Sequence, residues 1–314
     1  MSMISIRQVS KCYGTFAAVD DVSMEIEQGT ITALVGTSGS GKSTVLRMIN
    51  RLTDISTGTI EVNGRDIMSQ SPTALRRSMG YVIQGNGLFP HRTVAQNIAT
   101  VPQLLQWSTQ AITQRVNELL ELFNLDPAVY AHKLPHQLSG GQQQRVGVAR
   151  ALAAKPQVLL MDEPFGALDP VIRHKAQVDL LAVQQQCGIT IMLVTHDMEE
   201  AFALGHKIAV MHAGKVLQYG TPEDILVRPA HPFCTQLTGT TERSLKLLAL
   251  IKAQDYVTPQ TLNTPLTLPA EATLREVLAE LTWQGQPAAN IANSAGQVLG
   301  SLTLQQILRA GQAR

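Results

Sequence analysis

A chain of 314 residues, 44% of them hydrophobic and 16% charged, is long enough for one large domain and a smaller one, or for two of middling size. Its formal net charge of +1 lacks the basic bias of a nucleic-acid-binding domain, so we expect no nucleic-acid partner. No apolar run approaches the roughly 18 residues of a membrane span, the start lacks a signal-peptide layout, and three scattered cysteines suit a reducing compartment.

The chain opens with two predicted strands. Ile4 and Ile6 alternate with polar residues, and Val22 and Met24 repeat that alternation. Tyr13 lies between them, and a flat aromatic ring at this point is suited to stacking on an adenine base. Half-buried packing is the alternative for a tyrosine considered alone.

The segment that follows fits the phosphate-binding pattern G-x-x-x-x-G-K-[ST]. A β-branched apolar run at 30–35 predicts a buried strand before it, and apolar residues spaced along 42–52 predict a helix after it. Backbone N–H groups and the positive end of the helix then face one anion, whereas a glycine turn that only caps a helix would not need the full pattern. Lys42 is expected at the terminal phosphates and Ser43 at a magnesium ion. The predicted phosphate-binding residues are Gly36, Thr37, Ser38, Gly39, Ser40, Gly41, Lys42, Ser43 and Thr44.

A further strand, predicted at 79–83, delivers Gln84 to the start of a glycine-rich loop. A glutamine just past a strand end can reach a metal ion or a water molecule beside the phosphates, although an ordinary loop amide is the alternative. Helical spacing follows over 93–125 and predicts a helical insert. Ser139 and the two glycines after it begin another predicted helix. The free N–H groups at this helix start form either a second anion site or an ordinary N-cap. Two anion sites suggest a nucleotide held from both sides.

Two more buried strands end in polar residues. The strand at 158–161 ends in Asp162 and Glu163, where one carboxylate is suited to hold magnesium and the next to polarise the attacking water. The strand at 189–194 ends near His196, so this side chain emerges at the same sheet edge, where open α/β sheets bind ligands. A structural histidine is the alternative. A tight turn around Asp169 follows the first of these strands.

Together these motifs resemble the ATP-binding subunit of an ABC transporter over roughly residues 4–240. The resemblance implies an α/β P-loop ABC-type nucleotide-binding domain with a RecA-like core, an antiparallel β subdomain and a helical subdomain. It identifies Tyr13 as the base-stacking aromatic, Gln84 as the Q-loop glutamine and His196 as the switch histidine. It assigns ATP and Mg²⁺ as cofactors, with Ser43, Gln84 and Asp162 as metal ligands. The catalytic residues it implies are Glu163, His196 and Gln84, and the further nucleotide contacts are Ser139, Gly140, Gly141, Gln142 and the D-loop residue Asp169.

The same resemblance implies a head-to-tail homodimer in which the signature segment of one subunit covers ATP on the phosphate loop of the other. The helical insert and the loop at 88–91 would contact transmembrane permease subunits, with a substrate-binding protein as an indirect partner. We therefore expect a peripheral protein on the cytoplasmic face of the cell membrane. Its enzymatic activity would be transport-coupled ATP hydrolysis.

Within that family, four segments resemble importers of glycine betaine, choline and related osmoprotectants. Two alternatives stay open: an ABC importer for another solute such as an amino acid, and a non-transport ABC ATPase. The long coiled coil of chromosome-type members and the two cassettes of translation-factor types are both missing from the sequence. Glu163 and His196 disfavour a nucleotide switch without turnover. The osmoprotectant segments are 48–52, 87–91, 97–102 and 137–150.

The pattern changes near residue 241, where 243–254 predicts a linker helix with Leu245, Leu248 and Ile251 on one face. Beyond it the order strand, helix, strand, strand, helix over 255–314 resembles one CBS repeat. This unit either senses ionic strength or an adenine nucleotide, or serves only dimerisation or stability. Mixed charges here give no polybasic patch for anionic lipid.

Overall fold

The computed structural model describes residues 2–85, 87–166 and 168–312, in two compact units, Met1–Tyr219 and Gly220–Arg314. Asn86 and Ala167, within the predicted Q-loop and D-loop turns, lie outside the described residues. The strands of the first unit are β1 (Ser2–Tyr13), β2 (Phe16–Glu27), β3 (Ile31–Val35), β4 (Thr57–Val62), β5 (Arg65–Asp66), β6 (Met79–Val82), β7 (Val158–Asp162), β8 (Thr190–Thr195), β9 (Lys207–His212) and β10 (Lys215–Gly220). Its helices are α1 (Lys42–Ile49), α2 (Pro72–Ser78), α3 (Val94–Ile98), α4 (Thr100–Leu104), α5 (Thr109–Leu122), α6 (Pro127–Tyr130), α7 (Gly140–Leu152), α8 (Pro170–Cys187) and α9 (Met198–Leu204).

A six-stranded sheet with the order β10-β9-β3-β8-β7-β6 forms the centre of the first unit. Strands β9, β3, β8, β7 and β6 are parallel, and every residue of β3, β7 and β8 is buried. Burial on both faces explains the continuous apolar runs in these strands. Because parallel strands share one carboxyl edge, the loops after β3, β6, β7 and β8 meet there, as the sequence predicts.

A second, antiparallel sheet has the order β2-β1-β4-β5. Its inward side chains, such as Ile4 and Ile26, share one buried cluster with Leu46 of α1 and with Leu160 and Val194 on one face of the central sheet. The turn between β4 and β5 has two residues, Asn63 and Gly64, and both have positive φ, as is typical of two-residue hairpin turns.

The opposite face of the central sheet packs against helices. Leu159 and Leu193 join a buried cluster with Leu120 of α5, Val146 of α7 and Leu180 of α8. The predicted helical insert is present and is divided into α3, α4 and α5. None of the helices in the described ranges combines the length and apolar character that crossing a bilayer requires.

The second unit has a three-stranded sheet in which β11 (Thr267–Pro269) pairs parallel to β12 (Ala288–Ala292), and β12 pairs antiparallel to β13 (Val298–Thr303). The predicted order strand, helix, strand, strand, helix is present. The linker helix is shorter than predicted, since it ends at Leu250, and its buried face carries Leu247 and Leu248 while Leu245 is 39% exposed. Its elements are α10 (Pro222–Val227), α11 (Pro232–Thr238), α12 (Arg243–Leu250), β11 (Thr267–Pro269), α13 (Leu274–Trp283), β12 (Ala288–Ala292), β13 (Val298–Thr303) and α14 (Leu304–Ala310).

Candidate functional site

The phosphate loop joins β3 to α1, and its shape depends on two glycines. Gly41 is the N-cap of α1 with φ +103°, and a Cβ there would lie 2.3 Å from the Ala18 carbonyl oxygen. A Cβ at Gly36 would lie 2.0 Å from the Met211 carbonyl oxygen. Only glycine fits such close approaches, so the loop is held tightly between β2 and β9 with its amides at the start of α1.

Lys42 folds back over the phosphate loop. Its Nζ donates hydrogen bonds to the carbonyl oxygens of Gly36 and Thr37, at 2.8 and 2.9 Å, and lies 3.4 Å from Ser40 Oγ. Burial lowers the pKa of Lys42, while the charges of Glu163 and Asp162 act in the opposite direction. A buried ammonium that is satisfied only by neutral oxygens favours an anion in the loop.

Asp162 and Ser43 form the donor set expected for a hard divalent cation. Ser43 Oγ donates to Asp162 Oδ1 at 2.8 Å, and Asp162 is 5% exposed. Burial raises the pKa of Asp162, and the Ser43 hydrogen bond partly offsets this effect. A hydroxyl and a buried carboxylate whose charge is penalised by desolvation fit Mg²⁺, which prefers oxygen ligands.

Glu163 is the meeting point of the three predicted catalytic side chains. Its Oε2 accepts a hydrogen bond from Gln84 Nε2 at 3.1 Å and lies 3.4 Å from His196 Nδ1. The backbone of Glu163 has φ +45°, and its N–H donates to the Val194 carbonyl oxygen at 2.9 Å. A left-handed non-glycine residue at a strand end marks a functional constraint, because such a conformation costs free energy. The structure therefore brings together three side chains that lie far apart in the sequence.

The signature segment forms a separate site. Ser139 caps α7 through a reciprocal bond with Gln142, whose Nε2 also donates to Tyr130 Oη at 3.1 Å. In the described part of the chain, Ser139, Gly140, Gly141 and Gln142 make no hydrogen bond to the phosphate loop. One chain alone thus leaves its two predicted anion sites apart.

Asp169 and Tyr13 complete the predicted set. Asp169 Oδ1 accepts hydrogen bonds from the N–H groups of Val171 and Ile172, which makes it the N-cap of α8. Tyr13 is 54% exposed at the β1–β2 turn, and Lys11 Nζ lies 5.0 Å from its ring centroid. An exposed ring is free to stack on a planar ligand.

Sequence reasoning missed a polar network behind His196. Thr195 Oγ1 donates to Glu200 Oε2 at 2.6 Å, and Arg173 from α8 lies against both Glu200 and Asp197. The signal was present in the D-x-x-E spacing of Asp197 and Glu200 at a helix start, which ordinarily indicates a capping box. Here Glu200 instead turns inward and is 4% exposed.

A phosphate loop on a parallel sheet, with a carboxylate pair, a glutamine and a histidine at the same edge, defines a P-loop nucleotide-hydrolysing protein. A family model described as "ABC transporter" matches residues 19–166. The chain belongs to the ABC transporter family as an ATP-binding subunit, and its activity is that of an ATPase.

The relatives extend beyond the cassette. The chain is 48% identical over 306 residues to the glycine betaine uptake system ATP-binding protein YehX of Escherichia coli (strain K12), covering 98% of this chain and 99% of that protein. It is 45% identical to the choline transport ATP-binding protein OpuBA of Bacillus subtilis (strain 168), covering 88% and 72%. A solved dimer of the ATP-binding cassette MJ0796, described as a post-hydrolysis state bound to ADP and Pi, is similar with a TM-score of 0.63 and 31% identity, over 70% of this chain and 99% of that one.

Proposed function

We propose that this chain is the ATP-hydrolysing subunit of an importer for an osmoprotectant such as glycine betaine or choline. The hydrolytic part rests on one observation, the convergence of Gln84, Glu163 and His196 next to the residue pair Ser43 and Asp162. The cargo class is supported by the relatives that transport glycine betaine and choline. The similarity to the first of them runs through both units of the chain.

Each site residue takes a role that follows from its position. Lys42 would leave the loop carbonyls and bind the terminal phosphates of ATP. Glu163 and His196 would act on the water that attacks the γ-phosphate, with Glu163 polarising it. Ser43, Asp162 and Gln84 would hold Mg²⁺. The bound ion would neutralise developing charge on the phosphate oxygens. Tyr13 would stack on the adenine.

The separate signature site supports a head-to-tail homodimer. Ser139 and the N–H groups at the start of α7 would cover ATP on the partner's phosphate loop, with Gly140, Gly141 and Gln142 giving the close approach and Asp169 facing the same boundary. Each ATP would then lie between two subunits. ATP binding would close the pair, and hydrolysis with product release would reopen it.

The permease would dock near the Q-loop. Phe89 is 39% exposed, and the guanidinium carbons of Arg92 and Arg150 lie 4.9 and 5.7 Å from its ring centroid. A partly exposed aromatic ring on a loop that begins at Gln84 is suited to contact a membrane subunit and to move the site residue with it. The chain would then be a peripheral protein on the cytoplasmic face of the membrane, with a substrate-binding protein as an indirect partner.

The second unit is proposed as a single CBS-like regulatory or dimerisation unit over 255–314, joined by a linker at 241–254 to a cassette over 1–240. The support is its strand-helix-strand-strand-helix order and the parallel pairing of β11 with β12.

ATP hydrolysis by the complex with its permease in liposomes tests the cargo. We expect stimulation by a binding protein loaded with glycine betaine or choline and little by the empty protein. Hydrolysis that ignores both cargoes but responds to a binding protein loaded with an amino acid would move the importer to another solute class. The Glu163→Gln complex is the control, because it measures the signal without turnover by this subunit.

A further inference from the structure

His196 depends on its surrounding backbone for its orientation. Its side chain is 58% exposed and lies 3.4 Å from Glu163 Oε2 through Nδ1. An exposed ring gains little constraint from packing, so the conformation of the main chain at 195–197 decides where the imidazole points. The groups that fix this backbone therefore affect the site.

Two side chains fix the turn on either side of His196. Thr195 Oγ1 accepts a hydrogen bond from the Asp197 N–H at 3.0 Å and donates to Glu200 Oε2 at 2.6 Å. Asp197 Oδ1 accepts from the Glu199 N–H at 2.8 Å and caps α9. The turn that carries the imidazole is thus fastened to the start of α9.

Arg173 joins this turn to the D-loop. Its Nη1 lies 3.4 Å from Asp197 Oδ2, its Nε lies 3.8 Å from Glu200 Oε1, and its Nη2 donates to the Leu168 carbonyl oxygen at 3.3 Å. Leu168 immediately precedes Asp169, the N-cap of the helix that carries Arg173. One planar guanidinium therefore contacts the D-loop and both carboxylates next to the histidine.

Glu200 is the buried member of this link. The side chain of Glu200 is 5% exposed, and burial raises its pKa although Thr195 partly opposes the shift. A buried carboxylate without a neighbouring cation costs free energy, so removal of Arg173 would destabilise this network. Lysine can replace Arg173 only in part, because an ammonium keeps the charge but lacks the fork that reaches three separated oxygens.

We propose that Arg173 is a positioning residue that ties the D-loop to the switch-histidine turn, so that docking of a partner subunit on the D-loop sets the orientation of His196. The inference rests on the head-to-tail dimer of the proposed function. Through Leu168 and Asp197, a small shift at the dimer boundary reaches the imidazole without passing through the nucleotide.

The test is ATP hydrolysis by the full-length protein in complex with its permease, measured as kcat and KM for Arg173→Ala and Arg173→Lys. We expect kcat to fall about tenfold or more in Arg173→Ala with KM for ATP changing less than about threefold, and Arg173→Lys to recover only part of the loss. Arg115→Ala is the matched control. Its guanidinium contacts two carbonyl oxygens and one carboxylate, on Leu152, Ala153 and Glu118, outside the site.

The readout specific to positioning is the same substitution in a His196→Ala background. If Arg173 acts through His196, Arg173→Ala causes no further loss of kcat there, whereas independent contributions multiply. A multiplicative loss, or a loss of ATP affinity equal to the loss of kcat, would overturn the proposal. If Arg173→Ala does not fold, Asp197→Asn replaces it, since the amide keeps the cap acceptor and removes the charge that faces Arg173, with the same expectations. Basal hydrolysis that cargo fails to stimulate would contradict the proposed cargo and leave this comparison intact.

Discussion

At Glu163 the left-handed backbone aims the carboxylate at Gln84 and His196 rather than along the strand. Glu163→Gln keeps the shape and one acceptor but removes the base. We therefore expect kcat to fall by about 10²- to 10⁴-fold while ATP binding is retained, measured by phosphate release and by nucleotide affinity. Glu118→Gln, on the exposed side of α5, serves as the control and should leave both quantities unchanged. Normal hydrolysis in Glu163→Gln would contradict the site assignment.

Gly41 provides a second prediction at the scale of single residues. Gly41→Ala adds a methyl group 2.3 Å from the Ala18 carbonyl oxygen and also imposes φ +103° on alanine. We expect a loss of more than about 2 kcal/mol in the free energy of unfolding and weaker ATP binding, measured by denaturant titration and nucleotide affinity. Gly14→Ala is the control, because Gly14 has φ +60° but nothing within 4 Å of the new Cβ. Equal losses in both variants would show that φ alone matters.

The role of a residue could be predicted from the sequence where the chemistry requires a recognisable motif. Lys42, Ser43 and Asp162 follow from the phosphate loop and the strand end, and Ser43 Oγ donates a hydrogen bond to Asp162 Oδ1 as that pattern requires. Arg173 and Glu200 were not assigned to the site from the sequence, because an arginine within a helix is an ordinary surface residue and the spacing of Asp197 and Glu200 ordinarily indicates a capping box. Their role depends on a tertiary approach of α8 to α9, which periodicity does not encode.

Among the elements, α3 controls the shape of the loop at 87–93 through Asn97. This side chain is fully buried, accepts from the Phe89 N–H at 2.8 Å, and donates to the carbonyl oxygens of Phe89, Arg92 and Thr93. Asn97→Ala removes these four hydrogen bonds from a buried position, so we expect a loss of about 2–3 kcal/mol in the free energy of unfolding. Hydrogen exchange should increase at residues 87–93.

Gln96 on the same helix is the matched control for Asn97. Its side chain belongs to an exposed capping box with Thr93, so Gln96→Ala should cost only about 0.5–1 kcal/mol. If Asn97→Ala weakens permease-stimulated hydrolysis while basal hydrolysis is kept, the loop has the docking role proposed for it. An Asn97→Ala variant as stable as the wild type would contradict the role of Asn97 in holding the loop at 87–93.

The elements also show where periodicity fails. The ends of the central-sheet strands were predicted well, because the apolar runs at 30–35, 79–83 and 158–161 stop where the polar site residues begin. The helix α12 was predicted four residues too long, and of its predicted apolar face Leu248 is buried whereas Leu245 is exposed. Its sequence has apolar residues on several sides and no glycine or proline to end it, so tertiary packing decides both the face and the end.

For the whole molecule, the geometry of one chain is incomplete. The phosphate loop, Glu163 and His196 share an edge of the central sheet, whereas the signature segment at 139–142 caps α7 and, among the described residues, makes no hydrogen bond to them. The sequence predicts both halves, but it predicts their union only through the head-to-tail dimer implied by family resemblance. The residue pattern of a single chain specifies contacts within that chain. It does not specify how the phosphate loop of one subunit meets the signature segment of another.

Mixed dimers test that composite site. In a head-to-tail pair, a Lys42→Ala subunit combined with a Ser139→Arg subunit has one site with both defects and one site with none. Hydrolysis should therefore exceed that of either parent homodimer. A subunit carrying both substitutions, paired with a wild-type subunit, has one defect in each site and should be inactive. Differently tagged subunits, purified through both tags in complex with the permease, provide the four samples.

The two mixed dimers distinguish a site shared between two subunits from a site complete within one chain, because each arrangement predicts activity in a different mixed dimer. If each chain built its own complete site, the mixture of single variants would have no intact site and would stay inactive, whereas the double variant with wild type would keep one. Rescue in the second pairing and not in the first would rule out the head-to-tail arrangement. Rescue in the first alone requires Ser139 of one subunit to act on ATP bound at Lys42 of the other, since only that arrangement regenerates a site from two damaged chains.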